Sequence, residues 1–416
     1  MNMNELKFID LCCGIGGFHQ ALTNMGMKCV MASDIDAKCR DNYKLNYGIT
    51  PQGDLTEIEV SSIPSFDVLC AGFPCQPFSK AGQRNGFDDN RGNIFFDICN
   101  ILDHHKPKYI LLENVRNLSS HDDGNTWTTI KSKLDDLGYH TYDKPVILNA
   151  LYFGVPQSRE RVVIMCKRKD LGELNSLPSI SRERVQETSI EDIVETECDP
   201  KYNIKGKMKE TQVVWADFIL ALRGCGVSIP RFPIWTDWWD SDGENTTVTK
   251  PKKNLTNEEN AEYISKSQSA FYMKYKNWID KNREFYQTNL SVLGPWLERS
   301  RKNKLWVGAV RKMEWQTGSD DLDMSQVLWS PRGSGVRIKG LNYAPTLVAM
   351  ASMIPVYGPR NRTLSPRECA RLQSFPENFI IHDDDKVSYK QFGNAVNVKM
   401  IERSARFLIN NEPLFD

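Results

Sequence analysis

The stretch Phe8-Ile9-Asp10-Leu11-Cys12-Cys13-Gly14-Ile15-Gly16-Gly17-Phe18 reads as an apolar strand, a glycine turn and the opening of a helix. Gly14, Gly16 and Gly17 lack a Cβ, so a ligand can approach the backbone of this turn closely. The turn is G-x-G-G and departs from the G-x-G-x-x-G expected of a hydride-transfer enzyme. Working outward, a helix over 17–25, a strand in CVMASD and a helix over 37–45 follow. DVLCAG, FFDICNIL and YILLENV continue the apolar runs, and a helix over 126–137 precedes VILNA and RVVIMC. Such alternation predicts an α/β layer with a mostly parallel sheet and functional groups at the carboxyl ends of its strands.

The chain has 416 residues, enough for two or three domains. Lys+Arg and Asp+Glu both number 53, so net charge advertises no polyanionic partner. With 40% hydrophobic and 25% charged residues, wholesale disorder and a collagen-like or membrane composition are excluded. Residues 1–7 lack a basic region leading into an apolar run, and no stretch reaches the ~18 apolar residues of a membrane span. A cytoplasmic protein without membrane partners is expected. Eleven cysteines without C-x-x-C spacing suggest neither a metal site nor a disulfide framework, and most read as small core hydrophobes.

After Pro200 the text changes: nine of the ten tryptophans lie beyond it, and 241–260 reads as an exposed loop. Between residues 199 and 340 basic side chains outnumber acidic ones, an asymmetry hidden in the neutral total. It suits a polyanion-facing module or, equally, solvated faces at 205–209 and 299–304. Ser365, Pro366 and Glu368 read as the cap and first turn of a helix, and 389–408 as a turn followed by a helix.

The chemistry gathers at strand ends. Asp34-Ile35-Asp36 follows the second strand and Gly53-Asp54 closes a third segment, a pattern that suits ribose hydroxyls and an adenine face. Taken singly, these acids read as loop carboxylates. In Gly72-Phe73-Pro74-Cys75-Gln76-Pro77-Phe78-Ser79, Cys75 is fixed between two prolines where a thiolate nucleophile is useful. Glu113-Asn114-Val115 brings a carboxyl to the same edge, where partial desolvation keeps it protonated and able to donate. Gln157-Ser158-Arg159-Glu160-Arg161 adds two guanidinium groups. Thiol, carboxyl and guanidinium converge, while taken singly Cys75 also reads as packing, Glu113 as a loop acid, and Arg159 and Arg161 as surface cations pairing with Glu160.

In order along the chain, FIDLCCGIGGF, GFPCQPFS, ENV, QSRERV, RECARLQSFP and FGNAV resemble the motif series of the DNA (cytosine-5)-methyltransferases, particularly the bacterial enzymes of restriction-modification systems. The resemblance spans 7–168 and 345–400. It implies a Rossmann-like methyltransferase fold using S-adenosyl-L-methionine, with 1–195 and 388–416 forming a catalytic domain. Residues 196–387 are then a smaller irregular target recognition domain with its return segment. The implied chemistry has Cys75 attacking C6 of a flipped-out cytosine and Glu113 protonating or hydrogen-bonding N3. Arg161 is placed near O2, and Arg159 near Cys75 or the adjoining phosphate. The implied cofactor residues are Asp10, Cys12, Gly14, Gly16, Gly17, Asp34, Ile35, Asp54, Leu55, Pro74, Ile94 and Asn394. Asp34 is assigned to the ribose, Ile35 to the adenine face and Asp54 to the adenine amino group.

One departure stands out: the family usually has Phe where this chain has Cys12, which thins a pocket wall and implies weaker cofactor binding. For DNA the resemblance points to Gln76, Ser79, Arg91, Arg332, Arg337 and Thr346. The glycines in Arg332-Gly333-Ser334-Gly335-Val336-Arg337 suit a flexible loop reading guanine in the major groove, and 83–93 resembles a loop that closes over DNA. Core packing accounts for most of Trp235, Trp238, Trp239, Trp278, Trp296, Trp306, Trp315 and Trp329. Duplex DNA is the expected partner, with a cognate restriction endonuclease acting on the same site without stable association, and the enzyme is expected to be a monomer. A tRNA methyltransferase on the same scaffold and a catalytically silent DNA-binding relative are the alternatives. The basic surplus of the middle segment favours duplex DNA over the first, and intact Cys75, Glu113, Arg159 and Arg161 argue against the second.

Overall fold

The apolar runs become strands because each is short, continuous and bounded by glycine, proline or polar residues. The computed structural model describes residues 5–74, 94–181, 186–240 and 256–415. β1 (Lys7–Leu11) passes through the glycine turn into α1 (Gly17–Asn24), followed by β2 (Lys28–Ser33), α2 (Ala37–Tyr47) and β3 (Val68–Ala71). Next come α3 (Ile94–His105), β4 (Tyr109–Val115), α4 (Asn125–Asp136), β5 (Tyr139–His140), β6 (Ile147–Asn149), β7 (Gln157–Ser158) and β8 (Glu160–Arg168). The middle holds α5 (Gly206–Gly224), β9 (Ile234–Trp235), α6 (Asn257–Thr288), α7 (Leu290–Arg301), β10 (Lys312–Gln316), β11 (Leu328–Arg332) and β12 (Gly335–Lys339). β13 (Ala344–Pro345), β14 (Val356–Tyr357), β15 (Arg362–Thr363), α8 (Pro366–Leu372), α9 (Asp385–Asn394) and α10 (Val398–Asn410) come last.

Two compact units emerge, one comprising 1–197, 342–351 and 365–416, the other 198–341 and 352–364. In the first, the sheet order is β2-β1-β3-β4-β8-β5, with β6 also on β8. β2, β1, β3 and β4 run parallel; β8 is antiparallel to β4, β5 and β6. This is the expected mostly parallel α/β sheet. Every residue of β3, and all of β4 except Val115, is buried, as sheets covered on both faces require. Because β2 and β3 flank β1 on opposite sides, the strand order reverses at the carboxyl end of β1, where ligands bind in folds of this kind.

Two sequence expectations change here. Residues 342–351 and 365–387, assigned to the middle domain, cluster with the first unit. Ala344 and Pro345 pair with β7, and Glu368, inside α8, accepts the Glu195 N–H at 2.8 Å. The stretch 389–408, read as a turn followed by a helix, opens inside a helix: its first residues belong to α9, capped by Asp384, and α10 follows. The cap of α8 is as expected: Ser365 and Glu368 form a reciprocal capping box.

The second unit carries a sheet of order β15-β14-β11-β12-β10-β9. Trp215, Trp239, Trp296, Trp315 and Trp329 fill its core. α6 starts with a Thr256–Glu259 capping box, so 257–260 is helical where a loop was expected; 241–255 lies outside the described residues. No helix among the described residues is long and apolar enough to cross a membrane.

Candidate active site

The glycine turn is held open by its own backbone. Cys12, Gly14 and Gly16 adopt positive φ values of 50°, 54° and 85°. Glycine is the low-cost residue for such angles; Cys12 bears strain there. Asp34, just past β2, accepts the Gly14 N–H at 2.7 Å and the Asp36 N–H at 2.8 Å. Burial nevertheless holds its carboxyl above the usual range. Each oxygen keeps a lone pair for a further donor. Ile35 beside it is 74% exposed, a bare apolar side chain at the rim. Asp36 caps α2 and pairs with Lys390 of α9 at 2.7 Å. Asp36, Lys390 and Asn394 border a recess of about 440 Å³ beside this turn of chain. Asp54 accepts both the N–H and hydroxyl of Thr56 through Oδ1.

Two assignments need correction. Asp10 is fully buried beneath the turn, its carboxyl pushed well up by desolvation, with the Tyr43 hydroxyl 3.4 Å away. Its side chain faces the Tyr43 hydroxyl and the His19 backbone and is closed to solvent. The Leu55 side chain belongs to the sheet's apolar core, so only its backbone is left for a ligand. Ile94 packs partly against the same core, and Pro74 is exposed at the end of the segment leaving β3. Cys75, Gln76, Ser79 and Arg91 lie outside the described residues.

At the carboxyl end of β4, Glu113 meets Arg161 of β8 with Nε to Oε1 at 2.8 Å. Antiparallel register places Glu113 opposite Val163 and Val115 opposite Arg161, which brings the two side chains together. Burial raises the Glu113 carboxyl, and the attraction of Arg161 and Arg159 only partly offsets it. The Arg161 guanidinium also donates to the Glu160 carbonyl at 2.8 Å.

The expected neighbour of Arg159, Cys75, lies outside the described residues; the described contacts of the Arg159 guanidinium are to backbone. Arg159 is 1% exposed, and its guanidinium donates to the carbonyls of Leu347 (3.3 Å), Gly393 (3.1 Å) and Ala395 (2.8 Å). Desolvation lowers it to about 9. It therefore clamps the peptides either side of Asn394, whose side chain stays exposed while Gly393 and Ala395 are buried. Asn114 does a job that sequence reasoning missed: its amide donates to the Phe73 carbonyl at 2.9 Å, two residues before Cys75. Its place in Glu113-Asn114-Val115, beside the assigned acid, was the available signal.

The residues assigned to DNA divide. Thr346 donates to the Ser158 carbonyl at 2.6 Å, next to Arg159, and so braces the β7–β13 pair. Arg332 and Arg337 belong to an antiparallel hairpin, β11 and β12, with Arg332 opposite Gly335. The expected flexible loop is thus a tight turn. Gly335, at φ 133°, passes so close to β10 that a Cβ there comes within 2.7 Å of the Lys312 Cβ. Arg337 pairs with Glu314, opposite it on β10, at 3.2 Å. Arg332 is partly desolvated, which together with Arg337 lowers its basicity.

The family described as C-5 cytosine-specific DNA methylase matches residues 6–410. The chain is 34% identical to the type II methyltransferase M.BanI of Aneurinibacillus aneurinilyticus, over 98% of this chain and 96% of that protein. It is 32% identical to M.HpaII of Haemophilus parainfluenzae (98% and 90%) and 29% to M.HhaI of Haemophilus parahaemolyticus (96% and 93%). Among solved structures, a Spodoptera frugiperda DNMT2 variant superposes with a TM-score of 0.52 at 19% identity, over 97% and 99% of the two chains. The S. pombe Dnmt2 methyltransferase gives 0.50 at 19% over 98% and 99%. These last two likenesses are of fold alone. With a match running almost end to end and relatives above 30% identity along their length, the chain belongs to the C-5 cytosine-specific DNA methylase family.

Proposed function

We propose that this methyltransferase moves a methyl group from S-adenosyl-L-methionine to C5 of a cytosine flipped out of a specific short duplex sequence, through a covalent bond from Cys75 to C6. Protection of host DNA in a restriction-modification system is the role that the type II relatives suggest. The observation carrying the reading is the buried Glu113–Arg161 pair at the sheet edge, with Asn114 tethering Phe73 just before Cys75.

The residues present fit the cofactor. Asp34 has acceptor capacity left for hydroxyls, Ile35 offers an apolar face, and Asp97 Oδ2 is buried without a hydrogen-bond partner among the described residues, suiting an amino donor. Burial and the charge of Asp54 both raise Asp97. Asp34, Ile35, Asp54 and Asn394 would hold the cofactor, which supplies an electrophilic methyl group when bound.

Cytosine C5 is a poor nucleophile. Attack of the Cys75 thiolate on C6 pushes electron density to C5, and a neutral Glu113 eases this by donating to N3. Arg161 fixes Glu113 and offers a cation near O2 as charge develops. After C5 is methylated, loss of its proton and departure of the Cys75 sulfur restore the aromatic ring. Both ring faces are covered in stacked DNA, so the base must leave the helix at a cost of a few kcal/mol.

The test is methyl transfer from labelled cofactor to duplex DNA and to tRNA, with base-resolution sequencing of the product. Label at one short DNA sequence, abolished by Cys75→Ser, is expected. Label confined to tRNA moves the substrate to RNA, and cofactor binding without transfer to either makes the protein a silent DNA-binding relative.

A further inference from the structure

We propose that Tyr47 is a positioning residue for the cofactor, acting from beneath the glycine turn; the proposal rests on the cofactor reading above. Tyr47 is the last residue of α2 and packs against the turn at Gly16. Its ring occupies the space a Cβ on Gly16 would need, 2.3 Å from Cε2, so Gly16 and the tyrosine ring are fitted to each other. The hydroxyl reaches the Gly16 carbonyl at 3.1 Å and the Ile15 carbonyl at 3.4 Å, sharing one proton between them.

These contacts fix the peptide planes of the turn. In a trans peptide the carbonyl and the following N–H point in opposite directions. Gly16 O is aimed at Tyr47 and also accepts the Gln20 N–H at 2.9 Å, so the Gly17 N–H is turned away from the tyrosine. Gly17 opens α1, where no intrahelical acceptor exists for that N–H. The Gly16 N–H is already spent on the Cys13 carbonyl at 2.8 Å. The turn therefore presents a directed donor, and Tyr47 sets the direction.

The tyrosine is itself held in place. Its ring stacks on His19 with centroids 3.9 Å apart and planes 19° from parallel. His19 Nδ1 lies 2.6 Å from the Tyr43 hydroxyl, which in turn approaches Asp10. This chain of buried groups runs from α1 through α2 to β1, and its hydroxyl contacts to the carbonyls of the turn come from Tyr47.

Tyr47→Phe tests the proposal because it deletes one oxygen and keeps the ring against both Gly16 and His19. In the full-length enzyme, calorimetry is expected to show S-adenosyl-L-methionine binding weakened about fivefold, the size of one neutral hydrogen bond. KM for the cofactor should rise in step, while kcat at saturating cofactor and KM for DNA stay within about twofold of the parent. A purely structural hydroxyl predicts the reverse: a lower melting temperature with unchanged cofactor affinity, and that result overturns the proposal. A phenylalanine variant that no longer unfolds cooperatively by circular dichroism overturns it too. Asp34→Ala separates the two levels of inference. If it also binds cofactor normally, the cofactor reading falls; if it loses binding while Tyr47→Phe does not, only the role of Tyr47 falls.

Discussion

Glu113 is enclosed between two arginines, yet the cost of burying its charge outweighs their attraction and leaves the carboxyl above its ordinary range. A raised acid is neutral at low pH, so the stability tied to this neutral form is present below the unfolded value and lost as pH rises through the folded one. The same titration gives kcat/KM a falling limb on the alkaline side. Glu113→Gln keeps shape but cannot yield a proton; kcat is expected to fall a hundredfold or more, on the order of general-acid effects, with DNA affinity by gel shift unchanged. Cys12 poses a smaller question. Burial pushes its thiol up to about 12, so it stays protonated at neutral pH and is no rival to the proposed nucleophile, Cys75. The small Cys12 side chain lies within reach of the charges of Asp34, Asp10 and Asp54. Cys12→Phe should tighten cofactor binding in calorimetry by restoring apolar contact, and an unchanged or weaker Kd defeats the idea.

Between elements, Arg159, in the link from β7 to β8, ties Leu347 just past β13 to Gly393 and Ala395 at the end of α9 through three carbonyls that lose their charged donor in Arg159→Met. Stability in urea should drop by about 3 kcal/mol, the scale of several lost hydrogen bonds to a charged group. Because the clamp brackets Asn394, KM for the cofactor should rise more than KM for DNA. The α1–α2 contact has its own pH signature. Burial lowers His19 to about 4 from 6.5. Between those values the unfolded chain takes up a proton that the native state refuses, so stability falls as pH drops through that window, by about 3 kcal/mol for the full shift. Asp10, raised by burial, contributes with the opposite sign, so the comparison that isolates the histidine is parent against His19→Gln, whose unfolding free energy should lose that acid slope. Elements of this unit were legible where residues act locally: the glycine turn, the apolar runs and the Ser365 cap each announce themselves within a few positions. Tyr47 under the turn, and the antiparallel insertion of β8 beside β4, arise from packing between distant segments and leave no local mark.

For the whole molecule, the chain passes between its two units more often than a simple insertion requires. It leaves the first unit after 197, returns for 342–351, leaves again for 352–364 and returns at 365. The second excursion is short, yet β14 pairs with β11 and β15 extends it, so that sheet is built from two separate segments. Composition hinted at the start of the middle unit through its tryptophans and basic surplus. It gave no sign that 342–351 belongs elsewhere, because that assignment rests on contacts such as Thr346 with Ser158 rather than on residue type. If the second unit reads the DNA sequence, the unit of exchange between relatives is discontinuous. Grafting 198–341 together with 352–364 from a relative of different specificity should transfer the methylated sequence, read by base-resolution sequencing. Grafting 198–341 alone joins a foreign β11 to the native β14, so the β11–β14 ladder must form from sequences never matched to each other. That chimera should unfold at lower urea and methylate either site poorly. Equal stability and clean transfer by the single graft would show that β14 and β15 merely follow the fold of whatever sheet they meet.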